Sequence, residues 1–201
     1  MDIVAGPQGS GKSTFFRLAE RGFDSFNVDE RRRELNAGHA QDIPDHVRER
    51  SVRELRAFIE NHIRNCKSFS FEATLAKDVT FEQASQAKSR GFEVLLTYVA
   101  TDLEECVERV FKRLELGGHG VMRQIIEETY PASMRNLARA MRQFDVVQVW
   151  DNSVRAGPEI SLLEAKPTRA LEAVRGRITK VAVVLPPWLK TALAGTTYHL
   201  E

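Results

Sequence analysis

Residues 6–13 read Gly6-Pro7-Gln8-Gly9-Ser10-Gly11-Lys12-Ser13, a glycine, four intervening residues, then Gly-Lys-Ser. A short apolar run, Ile3-Val4-Ala5, precedes the motif, and a helix-compatible run, Thr14-Phe15-Phe16-Arg17-Leu18-Ala19, follows it. Few folds accept this order, because the loop must wrap an anion while the strand before it stays buried in a sheet. The glycines allow backbone conformations that turn N–H groups inward toward phosphate oxygens. The helix beyond adds the positive end of its dipole. In such a loop Lys12 reaches the β- and γ-phosphates and Ser13 sets its hydroxyl on a magnesium ion, with Thr14 opening the helix. The expectation is a nucleoside triphosphate held by residues 6–14.

Downstream, strand-like runs alternate with amphipathic runs of helical period. Ser25-Phe26-Asn27-Val28 reads as a second strand ending at Asp29, and the polar stretch Arg31–Asp45, with Gly38 and Pro44, as a loop. Val52, Leu55, Phe58, Ile59 and Ile63 recur at helical spacing. Ser68-Phe69-Ser70-Phe71 alternates as a strand and stops at Glu72, and residues 78–90 form a helix ended by Gly91. Residues 94–99 are continuously apolar, as in a central strand buried on both faces. Thr101-x-x-Glu104 reads as a capping box for a helix that buries Leu103, Cys106, Val107, Val110, Phe111 and Leu114. Gly117-Gly118 stops that helix. Another runs over about 121–141, with a kink or break expected at Pro131. Val146–Trp150 is a strand closed by Asp151-Asn152-Ser153. The predicted class is α/β: a P-loop NTPase or kinase-like parallel sheet with helices on both faces and a helical lid. Residues 1–155 make the core, with the lid near 113–123. Residues 156–201 form an extension packed on the same domain.

Ligands of such sheets bind at the carboxyl ends of the strands, where Asp29, Glu72 and Asp151 all fall. Asp29 can take the proton of a substrate hydroxyl, or cap the helix that begins at Glu30. Glu72 can orient magnesium or a substrate group, or be a surface acid. The strand at 94–99 lacks a terminal aspartate, so a second protein contact to the metal falls to Asp29 or Glu72. Arg109 and Arg113 lie four apart on one helical face, ahead of Gly117-Gly118-His119. Guanidinium groups brought in by a closing lid neutralise charge on a transferring phosphoryl group. A solvated arginine face is the alternative. Arg31-Arg32-Arg33 can hold an anionic substrate beside Asp29 or stay solvated.

Together these segments resemble the zeta toxin family of P-loop kinases in a short, single-domain form. The resemblance rests on residues 5–15, Asn27-Val28-Asp29-Glu30, Ser70-Phe71-Glu72-Ala73-Thr74-Leu75 and Arg109-x3-Arg113-x3-Gly117-Gly118-His119. Tyr130-x2-Ser133-x2-Asn136-Leu137 and Trp150-Asp151-Asn152-Ser153 complete it. It implies transfer of the γ-phosphate of ATP, with magnesium, to a small-molecule hydroxyl such as that of UDP-N-acetylglucosamine, and an antitoxin partner. It makes Asp29 the general base and Lys12 the phosphate contact, with Arg109 and Arg113 near the lid. Glu72, Thr74, Arg33, His119 and Arg123 fall to the substrate side. Val28 replaces the proline usual between Asn27 and Asp29. Glu127 and Glu128 stand where the family often carries a second lid arginine, and Arg123, one turn upstream, is the residue that can replace it.

The formal net charge of +1 supplies no general field for nucleic acid or membrane. No apolar run approaches bilayer-spanning length, and the first strand leaves no room for a leader, so a cytoplasmic enzyme is expected. Cys106 falls on an apolar helix face, while Cys66 has no evident role. A polynucleotide end kinase, an antibiotic-inactivating kinase and an ATP-binding switch with little transfer activity are the other readings.

Overall fold

The computed structural model describes residues 1–118, 120–153 and 166–198. Within them, strands β1 (Asp2–Ala5), β2 (Asp24–Phe26), β3 (Phe69–Ala73), β4 (Leu95–Ala100) and β5 (Val146–Asp151) are parallel. Strands β6 (Thr168–Val174) and β7 (Arg177–Val181) add an antiparallel hairpin, giving the order β2-β3-β1-β4-β5-β6-β7. The parallel sheet expected from sequence is therefore mixed at one end. The helices are α1 (Lys12–Phe15), α2 (Val28–Leu35), α3 (Asp45–Arg64), α4 (Val79–Ser89), α5 (Leu103–Glu115), α6 (Arg123–Gln143) and α7 (Pro187–Leu193).

Alternation along the strands sorts side chains between two faces. Ile3, Ala5, Phe69, Phe71, Leu96, Tyr98, Val147 and Val149 form one apolar face, buried under α3, α4, α6 and α7. Asp2, Val4, Thr97 and Val99 lie on the other and are buried too. That second layer is thinner than the run Thr14–Ala19 suggests. Helix α1 stops at Phe15, because Phe16 leaves helical geometry and sets its ring 5.1 Å from Trp150. A 3-10 turn, Leu18–Arg21, then brings Arg21 to Asp2 at 3.1 Å and to the Thr97 hydroxyl at 3.1 Å.

Several local readings change. Asn27 caps α2, accepting from the N–H groups of Asp29 (2.9 Å) and Glu30 (3.2 Å), so Asp29 lies in the first turn and is not the cap. Residues 31–35, read as loop, continue that helix. Thr101 does not cap α5, because its hydroxyl donates to Glu105 at 2.5 Å instead. Pro131 sits within a continuous α6 on its exposed side, where the carbonyl it cannot pair faces water. Cys106, Val107 and Val110 are buried as expected, but Phe111 and Leu114 are over a third exposed. Cys66 is exposed. No helix among the described residues is long and apolar enough to cross a membrane.

The chain leaves β1 toward β2 and leaves β3 toward β4, so the connections from these two neighbouring strands diverge. This divergence opens a crevice at their carboxyl ends, the place where α/β sheets bind ligands. Everything in the candidate site follows from it.

Candidate active site

The loop between β1 and α1 is shaped by its surroundings. A methyl group on Gly6 falls 1.9 Å from the Val99 carbonyl oxygen, and one on Gly9 falls 2.1 Å from that of Cys106. A methyl on Gly11 meets the Asn152 amide nitrogen at 2.3 Å. The backbone thus presses against the end of β4, the first turns of α5 and the residue after β5, which only glycine permits. Asn152 is nearly buried and donates its Nδ2 to the Ser10 carbonyl at 2.8 Å. Its own carbonyl accepts from Arg109 Nη2 at 2.7 Å. The sequence places Asn152 in a recognisable motif, but its bracing of the phosphate loop is a contact across most of the chain that spacing does not reveal.

Lys12 turns its ammonium back into the loop, donating to the carbonyls of Gly6 and Pro7 at 2.8 Å each. Burial lowers its pKa, and the charge of Glu72 opposes that shift. Ser13 Oγ donates to Glu72 Oε2 at 3.1 Å, so a contact from the first turn of α1 joins the phosphate loop to the acid of β3. Glu72 lies opposite Val4 in the ladder, and burial pushes its pKa up. Asp29 adds to that rise and acts in the opposite sense to burial on Lys12, so its charge is felt by both. Its carboxylate Oδ1 accepts from Arg32 Nη1 at 3.0 Å, and half of the side chain remains exposed. Lys12, Ser13, Asp29 and Glu72 therefore meet at one crevice. Asp151 does not join them. It accepts from Trp188 Nε1 at 2.9 Å and Ser153 Oγ at 2.6 Å, closing the end of β5.

The arginines divide. Arg109 binds Glu105 Oε2 at 3.0 Å as well as Asn152, tying α5 to the end of β5. Arg113 is exposed at the end of α5, and its charge adds to the lowering of the Lys12 pKa. The lid loop folds back on it: Gly118 N–H donates to the Arg113 carbonyl at 2.9 Å. Arg123 pairs with Glu104 at 2.8 Å and Glu127 at 2.6 Å. These contacts place it between α5 and the first turns of α6. Arg31 binds Glu54 and Glu34, and Arg32 binds Asp29 and Ser51. Arg33 is exposed and makes no ion pair among the described residues. Thr74, just past β3, is half-buried with Oγ1 accepting from Ala76 N–H at 3.4 Å. His119 lies outside the described residues.

The loop suits a polyphosphate and a hard cation. Gln8 Oε1, Ser10 Oγ and Arg109 Nη1 are buried without a hydrogen-bond partner among the described residues, a concentration of unmet polar atoms around one loop. Ser13 and Glu72 supply adjacent oxygens of the kind magnesium prefers. No group of three or more His, Cys, Asp or Glu residues among those described holds a metal by itself. Magnesium bound through few protein oxygens takes the remainder from phosphate and water.

A family profile described as an AAA domain matches residues 1–145. The chain belongs to that AAA domain family. No curated protein matches the sequence. Among solved structures, this AAA domain resembles a chain of the PezAT chromosomal toxin–antitoxin system of Streptococcus pneumoniae, with 21% identity, TM-score 0.57, and 75% of this chain aligned to 68% of that one. It also resembles a chain of the AvrRxo1-ORF1:ORF2 complex, at 14% identity and TM-score 0.62, covering 89% of this chain and 59% of that one. A chain of the Pnkp1/Rnl/Hen1 RNA repair complex aligns at 23% identity and TM-score 0.53, over 69% of this chain and 45% of that one. At these identities the likeness is one of fold. The resemblance to zeta-toxin-type P-loop kinases seen in the motifs extends to that fold.

Proposed function

We propose that this AAA domain is an ATP-dependent phosphotransferase of zeta toxin type, passing the γ-phosphoryl group to a hydroxyl of a small molecule, with a sugar nucleotide such as UDP-N-acetylglucosamine as acceptor. The observation that carries the proposal is the convergence of Lys12, Ser13, Glu72 and Asp29 on the crevice between β1 and β3. Residues 6–14 cradle the phosphates. Lys12 exchanges its two loop carbonyls for β- and γ-phosphate oxygens. Ser13 would hold magnesium, which would supply charge neutralisation on those oxygens.

The acceptor hydroxyl approaches from the side of β2 and β3. Its oxygen forms the new bond to phosphorus as the bond to the β-phosphate oxygen breaks, and its proton passes to Asp29. Asp29 suits this task because it is half-exposed, fixed by Arg32 and close to the charges of Lys12 and Glu72. Glu72 and Thr74 line the acceptor side, with Arg33 at its margin. Arg113 steadies developing charge as a lid near 113–123 closes and excludes water. Arg109 acts from behind, by holding Asn152 and through it the phosphate loop. Arg123, engaged by two glutamates, supports the lid from its far end.

The PezAT structure belongs to a toxin–antitoxin system and the AvrRxo1-ORF1:-ORF2 structure is of a complex, which supports a protein partner of antitoxin kind for this chain. A structure of the AvrRxo1 complex with ATP supports the nucleotide. The test is a binding assay followed by a transfer assay. Native protein and Asp29→Asn bind ATP equally with magnesium, and only the native protein labels the sugar nucleotide. Equal labelling by both proteins removes Asp29 as the base.

A further inference from the structure

The segment Tyr130-x2-Ser133-x2-Asn136 lies on α6 and has no part in the chemistry above. Its three polar side chains nevertheless point at one target, the backbone just past the carboxyl ends of β3 and β4. Ser133 Oγ donates to the Thr74 carbonyl at 2.6 Å, and Asn136 Nδ2 donates to the Leu75 carbonyl at 2.9 Å. Tyr130 Oη donates to the Thr101 carbonyl at 2.8 Å. Ser133 is fully buried, and with its one proton given to Thr74 it accepts from Tyr98 Oη, 2.9 Å away.

The backbone these groups hold is not at rest. Leu75 is almost fully buried and has φ +59°, a left-handed conformation that is unfavourable for a non-glycine residue. Beyond Ala73 the ladder ends, so the Thr74 and Leu75 carbonyls need other donors if they are to be buried. Helix α6 supplies both. The reversal at Leu75 ends the line of β3 directly after Thr74. Glu72 meets Ser13 at the strand end, and Thr74 follows two residues later, just past the last ladder pair.

We propose that Ser133 and Asn136 are positioning residues of the acceptor site: their hydrogen bonds hold the left-handed turn at Thr74–Leu75 and thereby fix Glu72 and Thr74 against the phosphate loop. The inference rests on the reading of Glu72 and Thr74 as the acceptor side. It assigns a physical role to a motif that spacing alone leaves without one.

The test uses the full chain and four variants, Asn136→Ala, Asn136→Asp, Ser133→Ala and Asn136→Gln. Backbone chemical shifts and the HN–Hα coupling of Leu75 report its φ without any acceptor present. Affinity for a fluorescent ATP analogue reports the phosphate loop, and labelled transfer to UDP-N-acetylglucosamine reports the acceptor side. Asn136→Ala and Ser133→Ala are expected to move Leu75 off its left-handed signature, leave nucleotide affinity within about twofold, and raise the acceptor KM about tenfold with a smaller change in kcat. Asn136→Asp, of equal size but setting a carboxylate against a carbonyl oxygen, is expected to be worse than Asn136→Ala. Asn136→Gln, which keeps the amide donor, recovers part of the signature. Unchanged Leu75 signals in both alanine variants overturn the proposal. So does Asn136→Asp behaving better than Asn136→Ala, which marks a packing role. A native chain that labels no acceptor, with Leu75 responding as described, overturns the kinase reading and leaves the turn's dependence on α6 standing.

Discussion

The two walls of the crevice are held in different ways. On one side the phosphate loop is held through backbone: glycines at 6, 9 and 11 press against Val99, Cys106 and Asn152, and a single added carbon closes the space. On the other, the strand end carrying Glu72 and Thr74 is held by side-chain donors on α6, with Leu75 in an unfavourable conformation between them. A backbone-packed wall fails abruptly when substituted, because no rotamer relieves a clash with main chain. A wall held by hydrogen bonds fails by degrees, about 1 kcal/mol or somewhat more for each bond lost. A binding loop common to every substrate suits the first construction, and an acceptor side suits the second.

The largest effect is expected at the rigid wall. Gly9→Ala sets a carbon against the Cys106 carbonyl at a φ of +81°, and should abolish measurable ATP binding with a stability loss of about 3 kcal/mol or more. Isothermal titration and chemical denaturation check it. A variant that still binds ATP would show that the loop yields. Next is Asp29→Asn, expected to lower the transfer rate about 10²- to 10⁴-fold while ATP affinity holds, measured by single-turnover labelling. Asn152→Ala should be smaller. It leaves the Ser10 carbonyl without its donor, a cost of about 1–3 kcal/mol that should appear mainly in ATP affinity. Preserved affinity there would mean the loop holds its shape without Asn152.

The smallest effect concerns α2, the helix that carries Asp29. Arg31 and Arg50 hold Glu54 well below the usual carboxylate range, at about 2. A depressed carboxylate contributes fully above its unfolded value of about 4.3, and its contribution fades as pH falls toward about 2. Native protein should therefore lose stability over that window more steeply than Glu54→Gln. Parallel acid-unfolding curves for the two proteins would show that the pair, being at the surface, contributes nothing measurable.

The same contrast explains what the sequence could reveal. The phosphate loop was legible because its strand, glycines and lysine are contiguous, and the parallel part of the sheet because strand-like and helical runs alternate; the order of its strands and the antiparallel hairpin at its edge were not. Asp29 and Glu72 were legible as strand-end acids, since parallel strands bring their carboxyl ends to one edge. What escaped depends on partners far along the chain. Asn152 reaches Ser10, Ser133 reaches Thr74, and Phe16 leaves α1 to pack on Trp150. No local spacing encodes these. Asn27 and Asp29 are both good caps for α2, and only the end of β2 at Phe26 decides between them. Phe111 and Leu114 fit the apolar stripe of α5 yet stay partly exposed, beside a loop in which Leu116 is 87% and Met122 69% exposed. Helical period reports a face and not what covers it.

The most direct measurement is transfer of label from γ-labelled ATP to UDP-N-acetylglucosamine with magnesium, run on native protein and Asp29→Asn after both are shown to bind ATP. The account predicts phosphorylated sugar nucleotide from the native protein and almost none from the variant. Labelling at the same rate by both proteins, or ATP bound but no label moved by the native protein, would contradict it.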